Sequence, residues 1–271
     1  MNWLEINGVR LEVRLIAGPI GPAPIIFLHE GLGSVSMWTQ RGLDWPRAVC
    51  SATGRAGVVY SRRGYGQSEP GPTKRAGPDD RPKGQLLPDY MHREAWEVLP
   101  ALLQKLQIDN PVLLGHSDGA TIALLYASRF PVSACIAMAP HVMVEDISVR
   151  SIAQARAAFE PGGPGGLRER LARHHADVDG AFWQWNDAWL SAAFRDFDIR
   201  PDCRRITAPL LLIQGLGDEY GTLRQLDEIA EAVAQPLGME QLRLAACGHS
   251  PQRDQPEKTL EAVTEFLRNK H

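Results

Sequence analysis

Cysteine is scarce: the 271-residue chain has four, Cys50, Cys135, Cys203 and Cys247, and no two form a C-x-x-C pair. That spacing excludes a disulfide framework and offers no zinc site, and reads as buried thiols of a reducing compartment. A charge surplus is also missing. The 29 Lys and Arg against 32 Asp and Glu leave a formal net charge of -3, without the basic excess that nucleic-acid binding requires. No apolar run approaches membrane length. The opening MNWLEINGVRLEVR has acidic residues and no apolar core, so neither a signal peptide nor an anchor is expected. No H-E-x-x-H or paired Cys/His spacing occurs, so no metal and no cofactor are expected. These absences predict a cytoplasmic protein with a small-molecule partner and neither nucleic acid nor membrane, and they leave room for a homodimer.

What is present is alternation. Trp3–Ile6 and Val9–Ile16 flank the turn pair Asn7-Gly8, which predicts a hairpin. Short apolar runs follow at APIIFLHE, AGVVYS (56–61), PVLLGH (111–116), VSACIAMA (132–139), PLLLIQG (209–215) and GMEQLRLA (238–245). Runs this short, bounded by Pro and Gly, predict strands buried on both faces, as parallel strands are. Helical patterns lie between them. Over 89–106, Met91, Ala95, Val98, Leu102 and Leu106 share a stripe; 117–130 is small and apolar; 221–234 and 256–267 are amphipathic. The fold class predicted is α/β: a mostly parallel, doubly wound sheet with helices on both faces. The Pro- and Gly-rich stretch 69–88 reads as a long surface loop.

One segment breaks the pattern. Residues 141–205 have no buried-strand signal, only helix-like stretches interrupted by PGGPGG (161–166). Phe182, Trp183, Trp185 and Trp189 cluster there, with Trp185 and Trp189 one helical turn apart. This predicts a helical cap over a core formed by 1–140 and 206–271. The aromatics serve either as a seam holding the cap to the sheet or as the lining of a pocket.

The chemistry centres on GHSDG (115–119). It closes a buried strand and opens a helix, the setting in which a G-x-S-x-G match makes Ser117 an exposed nucleophile on a strained turn; the bland alternative is a turn without chemistry. A serine hydroxyl needs a base, and the base an orienting acid. Asp218, in the loop after 209–215, and His249, in a Gly-flanked loop before the last helix, lie at the carboxyl ends of strands, where sites form in open sheets. Glu219 is adjacent and offers a second carboxylate. The other histidines fit less well: His116 should point away from Ser117, His174 and His175 lie in the cap, and His92 and His271 lie on a helix or at the terminus. LHEGLGS after the strand at 24–28 can turn a backbone N–H toward the serine. Gly31 is the candidate there, and the N–H of Asp118 would be the second oxyanion donor.

With these pieces placed, nearly the whole chain resembles the α/β-hydrolase family. FLHEGLGS matches the oxyanion loop, YSRRGYGQS the loop after the next strand, GHSDG the nucleophile turn, GLGDE the acid loop and CGHSPQRDQP the histidine loop. The resemblance implies an α/β-hydrolase fold with a cap and a serine hydrolase with the triad Ser117, Asp218 and His249. It implies cleavage of a carboxylic ester or thioester through an acyl-enzyme. Hydrolysis of a carbon–carbon bond in a ring-cleavage product is the alternative chemistry, and a non-catalytic small-molecule receptor the alternative class. Two departures stand out. Glu30 occupies the place after His29 where the family has Gly, and Ser61 the place where Asp is usual. Glu30, Trp185 and Trp189 are the candidate pocket residues. A carboxylate at Glu30 would oppose an oxyanion unless it turns outward, pairs with a cation or is kept protonated by burial; pairing with an arginine of SRRGYG, Arg62 or Arg63, is the expectation.

Overall fold

The computed structural model describes residues 2–71, 73–75, 82–84, 86–160, 163, 165–233 and 237–268. Parts of the 69–88 loop and of PGGPGG, together with Ala234 and His271, lie outside them. Eight strands form one sheet: β1 (Asn2–Ile6), β2 (Val9–Ile16), β3 (Ile25–Leu28), β4 (Gly57–Tyr60), β5 (Val112–His116), β6 (Ala134–Met138), β7 (Leu210–Gly215) and β8 (Met239–Leu244). Their order is β1-β2-β4-β3-β5-β6-β7-β8. The hairpin β1–β2 is antiparallel, as is the β2–β4 pairing, and every other pair is parallel. Asn7 and Gly8 both have positive φ, as a two-residue hairpin turn demands.

The central strands carry apolar side chains to both faces. On one, Ile25, Phe27, Leu114, Ile136 and Ile213 pack with Trp45, Val49, Val263 and Phe266. On the other, Ile26, Leu28, Leu113, Ala137 and Leu212 pack with Met91, Leu99, Leu124, Ile229 and the aromatic residues of the segment between β6 and β7. Strands whose alternate residues meet helices on opposite faces read as unbroken apolar runs, which is why the sequence announces them. Between β6 and β7 the described chain is helical, with Asp146–Phe159, Leu167–Leu171, Val178–Trp189 and Arg200–Cys203.

Four elements depart from the sequence reading. The strand β8 lies at the sheet edge and buries only Leu244, where a strand covered on both faces is expected. The 89–106 helix is interrupted by a π turn at Glu94–Val98. The extra residue shifts the buried face, so Leu99, Leu102 and Leu103 are fully covered while Val98 and Leu106 are only half-buried. Within the 69–88 loop, Thr73–Arg75 pairs antiparallel with Pro82–Gly84. The helix Trp45–Thr53 carries no apolar run that marks it in the sequence, although the Asp44 carboxylate accepts the Arg47 N–H at its start and Gly54 ends it at φ 62°.

Candidate active site

The site is assembled at the carboxyl edge of the sheet, where the loops after β3, β4, β5, β6, β7 and β8 converge. Gly115 and Gly119 make the β5 turn sterically attainable. A Cβ on Gly115 would lie 2.1 Å from the Gly119 carbonyl oxygen, and one on Gly119 would lie 2.0 Å from that of Leu28. Between them Ser117 sits at φ 55°, ψ −121°, a strained setting for a residue with a side chain. Its N–H donates to the Met138 carbonyl at 2.9 Å. The hydroxyl is thereby held at the N-terminus of the helix Asp118–Ala127.

Ser117 Oγ lies 2.9 Å from His249 Nε2, and His249 Nδ1 lies 2.8 Å from Asp218 Oδ1. Asp218 Oδ1 also accepts the N–H groups of Tyr220 at 2.8 Å and Gly221 at 3.2 Å, and Oδ2 accepts Gln214 Nε2 at 3.1 Å. Burial alone would raise the Asp218 carboxyl, but the facing His249 and the Tyr220 N–H hold it at about 2. Burial pulls His249 the other way from its partner, and the Asp218 anion wins, leaving the imidazole above its ordinary value. Glu219 takes a different part: its carboxylate accepts the backbone N–H of His249 at 3.1 Å. The imidazole therefore faces Asp218, and Glu219 braces the loop.

Gly31 lies directly under Trp185 of the helix Val178–Trp189. A Cβ there would fall 2.1 Å from Trp185 Nε1, so only glycine fits beneath the indole. Among the described residues, neither the Gly31 nor the Asp118 backbone N–H has a hydrogen-bond partner. Both remain available to a developing negative oxygen.

The cavity over Ser117 holds about 240 Å³. Trp185 and Trp189 both line it, with Leu32, Met37, Ile152 and Leu171. Trp189 is also tied inward, its Nε1 donating to the Tyr90 hydroxyl at 3.0 Å, while Tyr90 donates to Asp118 Oδ2 at 2.5 Å. The aromatic residues thus divide: Trp185 and Trp189 border the cavity, whereas Phe182 and Trp183 pack against Phe159.

Glu30 also borders the cavity, but its expected partner is wrong. The carboxylate faces His116, with Oε2 3.5 Å from Nδ1. Burial would push it up, yet the His116 contact and the nearby His29 hold it at about 2, so it is ionised. Arg62 instead donates to the Glu30 backbone carbonyl at 2.9 Å and approaches the Asp118 carboxylate at 3.8 Å; Arg63 pairs with Glu69. The sequence reading failed because the residue before Ser117, at the end of adjacent β5, reaches this loop sideways. His116 Nε2 in turn donates to the His249 carbonyl at 2.7 Å, so Glu30 braces the histidine loop through it. His116 Nδ1 meets Gln252 Nε2 at 3.1 Å, so the Glu30 carboxylate acts on His116 as a charge at 3.5 Å, and losing an electrostatic contact of this kind costs about 1 kcal/mol. Glu30→Gln is accordingly expected to lower the melting temperature by a few degrees and turnover several-fold. Thermal melts and ester kinetics on the variant check this; wild-type values for both would remove the bracing role.

Ser61, the other departure, is explained by strand β2. The Ser61 hydroxyl donates to Glu12 Oε2 at 2.7 Å and accepts the Val35 N–H at 2.9 Å. A carboxylate still stands at that point, supplied by a neighbouring strand.

The sequence reading passed over His141, Tyr220 and Arg253, which also line the cavity. His141 follows the end of β6, so the rule that sites gather at strand carboxyl ends could have flagged it. Burial holds its imidazole down at about 3, hence neutral. Tyr220 and Arg253 lie within three and four residues of Asp218 and His249, but no motif marks them.

The model of the alpha/beta hydrolase family matches residues 25–262. The chain belongs to the alpha/beta hydrolase family. Among curated relatives, this alpha/beta hydrolase is 24% identical over 288 residues to the AB hydrolase superfamily protein YisY of Bacillus subtilis, with 94% of this chain and 96% of the relative covered. Among solved structures it resembles the enol-lactonase from Burkholderia xenovorans LB400, with a TM-score of 0.72 at 20% identity, covering 99% of this chain and all of the other. It also resembles a thermophilic esterase from Thermogutta terrifontis, with a TM-score of 0.70 at 18% identity over 100% of both chains. At those identities the structural likeness speaks to the fold alone.

Proposed function

We propose that this alpha/beta hydrolase is a serine hydrolase that cleaves a carboxylic ester or thioester of a compact small molecule. One observation carries the reading: the unbroken line from Ser117 Oγ through His249 to Asp218, 2.9 and 2.8 Å long, opening on the cavity beneath the cap. In the first half-reaction Ser117 Oγ attacks the carbonyl carbon while its proton passes to His249 Nε2. The carbonyl oxygen becomes an anion held by the Gly31 and Asp118 N–H groups. Collapse expels the alcohol or thiol, which takes the proton from His249, and leaves an acyl group on Ser117. Water then repeats the sequence: His249 takes its proton, the acid departs and Ser117 is restored.

The cavity of about 240 Å³ lies at the small end for ligand sites, and its largely apolar walls suit a short or cyclic acyl group. The four cysteines are buried and free, which fits a cytoplasmic location. No helix among the described residues is long and apolar enough to cross a membrane.

Labelling with a fluorophosphonate, followed by mass-spectrometric mapping, tests the reading. The adduct is expected on Ser117, together with turnover of members of an ester, thioester and lactone panel. A chain that neither labels nor turns over would be a binding protein. Within the panel, Trp185→Ala is expected to favour long acyl groups. Removing that wall should raise the ratio of kcat/KM for hexanoate over acetate by about tenfold. An unchanged ratio with a lowered melting temperature would make Trp185 a packing residue only.

A further inference from the structure

Arg62 is 5% exposed, and a buried guanidinium is costly unless its hydrogen bonds are satisfied. Here its Nε and Nη1 have no partner among the described residues. Its backbone N–H is taken by His29 Nε2 at 3.0 Å, and its guanidinium lies 5.0 Å over the Tyr65 ring. Among the described residues its one side-chain hydrogen bond runs from Nη2 to the Glu30 carbonyl at 2.9 Å, and the same nitrogen stands 3.8 Å from Asp118 Oδ2. A cation placed at such expense meets two things at once, and both belong to the oxyanion site.

The Glu30 carbonyl is half of the Glu30–Gly31 peptide. No peptide bond among the described residues is cis, so this carbonyl and the Gly31 N–H point in opposite directions. Three donors grip the carbonyl: Arg62 Nη2, His29 Nδ1 at 2.7 Å and the Gly33 N–H at 3.0 Å. With the oxygen fixed on the Arg62 side, the N–H is fixed facing away from it. A carbonyl loaded with donors also polarises its peptide, which strengthens the N–H as a donor. Asp118 poses the opposite problem. Its N–H is the second donor, but its carboxylate, 1% exposed, would set a negative charge beside a developing oxyanion, and like charges in a dry site repel strongly. The guanidinium answers that charge.

We propose that Arg62 is a positioning residue of the oxyanion site. One guanidinium nitrogen sets the plane of the Glu30–Gly31 peptide through its carbonyl and neutralises the carboxylate of Asp118. Both N–H donors then meet the substrate oxygen without the Asp118 charge opposing it. Arg62 stands between Ser61 and Arg63 in the YSRRGYGQS loop, and the role follows from its own contacts. It rests on the serine-hydrolase reading.

The test uses Arg62→Gln and Arg62→Lys, with an aryl ester as substrate and an aryl trifluoromethyl ketone as inhibitor. Ser117 Oγ adds to the ketone carbonyl, its proton passes to His249, and the former carbonyl oxygen becomes an anion in the oxyanion site. Wild-type protein is first labelled with fluorophosphonate. A wild type that neither labels nor turns over would overturn the serine-hydrolase reading, and this role with it. With that reading standing, Arg62→Gln is expected to lose about a hundredfold in kcat, as when an oxyanion donor is lost, with KM within about threefold of wild type. The ketone inhibition constant should rise by the same factor as kcat/KM falls. Arg62→Lys keeps the charge beside Asp118, but its shorter, non-planar head holds the Glu30 carbonyl less firmly, so it should recover about tenfold of the loss. A role confined to stability would lower the melting temperature and leave the inhibition constant of the folded fraction unchanged, which overturns the proposal. If Arg62→Gln does not fold, the Lys variant carries the comparison: it should bind the ketone about tenfold more weakly, and wild-type affinity in it overturns the proposal.

Discussion

Replacing Ser117 with Ala is expected to remove fluorophosphonate labelling and to lower ester turnover by about 10⁴-fold or more. The size follows from the arrangement: Ser117 Oγ is the hydroxyl that the His249 imidazole meets, at 2.9 Å. Ser250 also lines the cavity and follows His249 in sequence, but no hydrogen bond joins its hydroxyl to that ring. Ser250→Ala should therefore leave labelling intact, which makes it the control. The Ser117→Ala fold should survive, because alanine meets the same strain at φ 55° and loses only one oxygen. Adduct formation on Ser250, or labelling that persists in Ser117→Ala, would show that the nucleophile has been misassigned.

Asp218→Asn is the second large effect, expected at about 10³- to 10⁴-fold in kcat. An amide nitrogen facing His249 Nδ1 would favour the tautomer whose proton sits on Nε2, where Ser117 needs an acceptor. Glu219→Gln should cost less than about tenfold, since a glutamine oxygen still accepts the His249 N–H. The pH profile separates the two further. His249 must be neutral to take the serine proton, and the Asp218 anion raises its pKa. Activity should thus fall with acidification through a midpoint above the ordinary imidazole value, while Asp218, held at about 2, stays ionised throughout. Without the anion, the residual activity of Asp218→Asn should keep its acid limb at a lower pH than wild type. A limb that moves in Glu219→Gln but not in Asp218→Asn would transfer the role to Glu219.

The features legible in the sequence were those whose physics is local. β3, β5, β6 and β7 are buried on both faces, so each appears as a short apolar run. Gly115 and Gly119 admit backbone at contact distance, and such glycines mark the serine turn without help from the rest of the chain. Contacts between strands were less legible. Glu30 was given an arginine because the SRRGYG loop sits on the neighbouring strand, yet Arg62 spends its hydrogen bond on the Glu30 carbonyl, and His116, on the strand on the other side, takes the carboxylate. No residue pattern distinguishes a side-chain from a main-chain acceptor. Tyr90, which links Trp189 to Asp118, sits just before a π turn that a 3.6-residue stripe cannot anticipate. The choice between Asp218 and Glu219 needed the loop's path, which lets the two neighbours serve the ring and the backbone of the same histidine.

The indole of Trp185 over Gly31 bears on how such a protein could be re-engineered. The helix Val178–Trp189 and the LHEGLGS loop are fitted closely at Gly31, where the indole leaves no room for a Cβ. The helical segment between β6 and β7 is therefore not an interchangeable part. A chimera that grafts a relative's helices onto this sheet would have to carry residues 31 and 185 as a matched pair. Diversification of the acyl pocket is better directed at Ile152, Leu167 and Leu171, which line the cavity without carrying that joint.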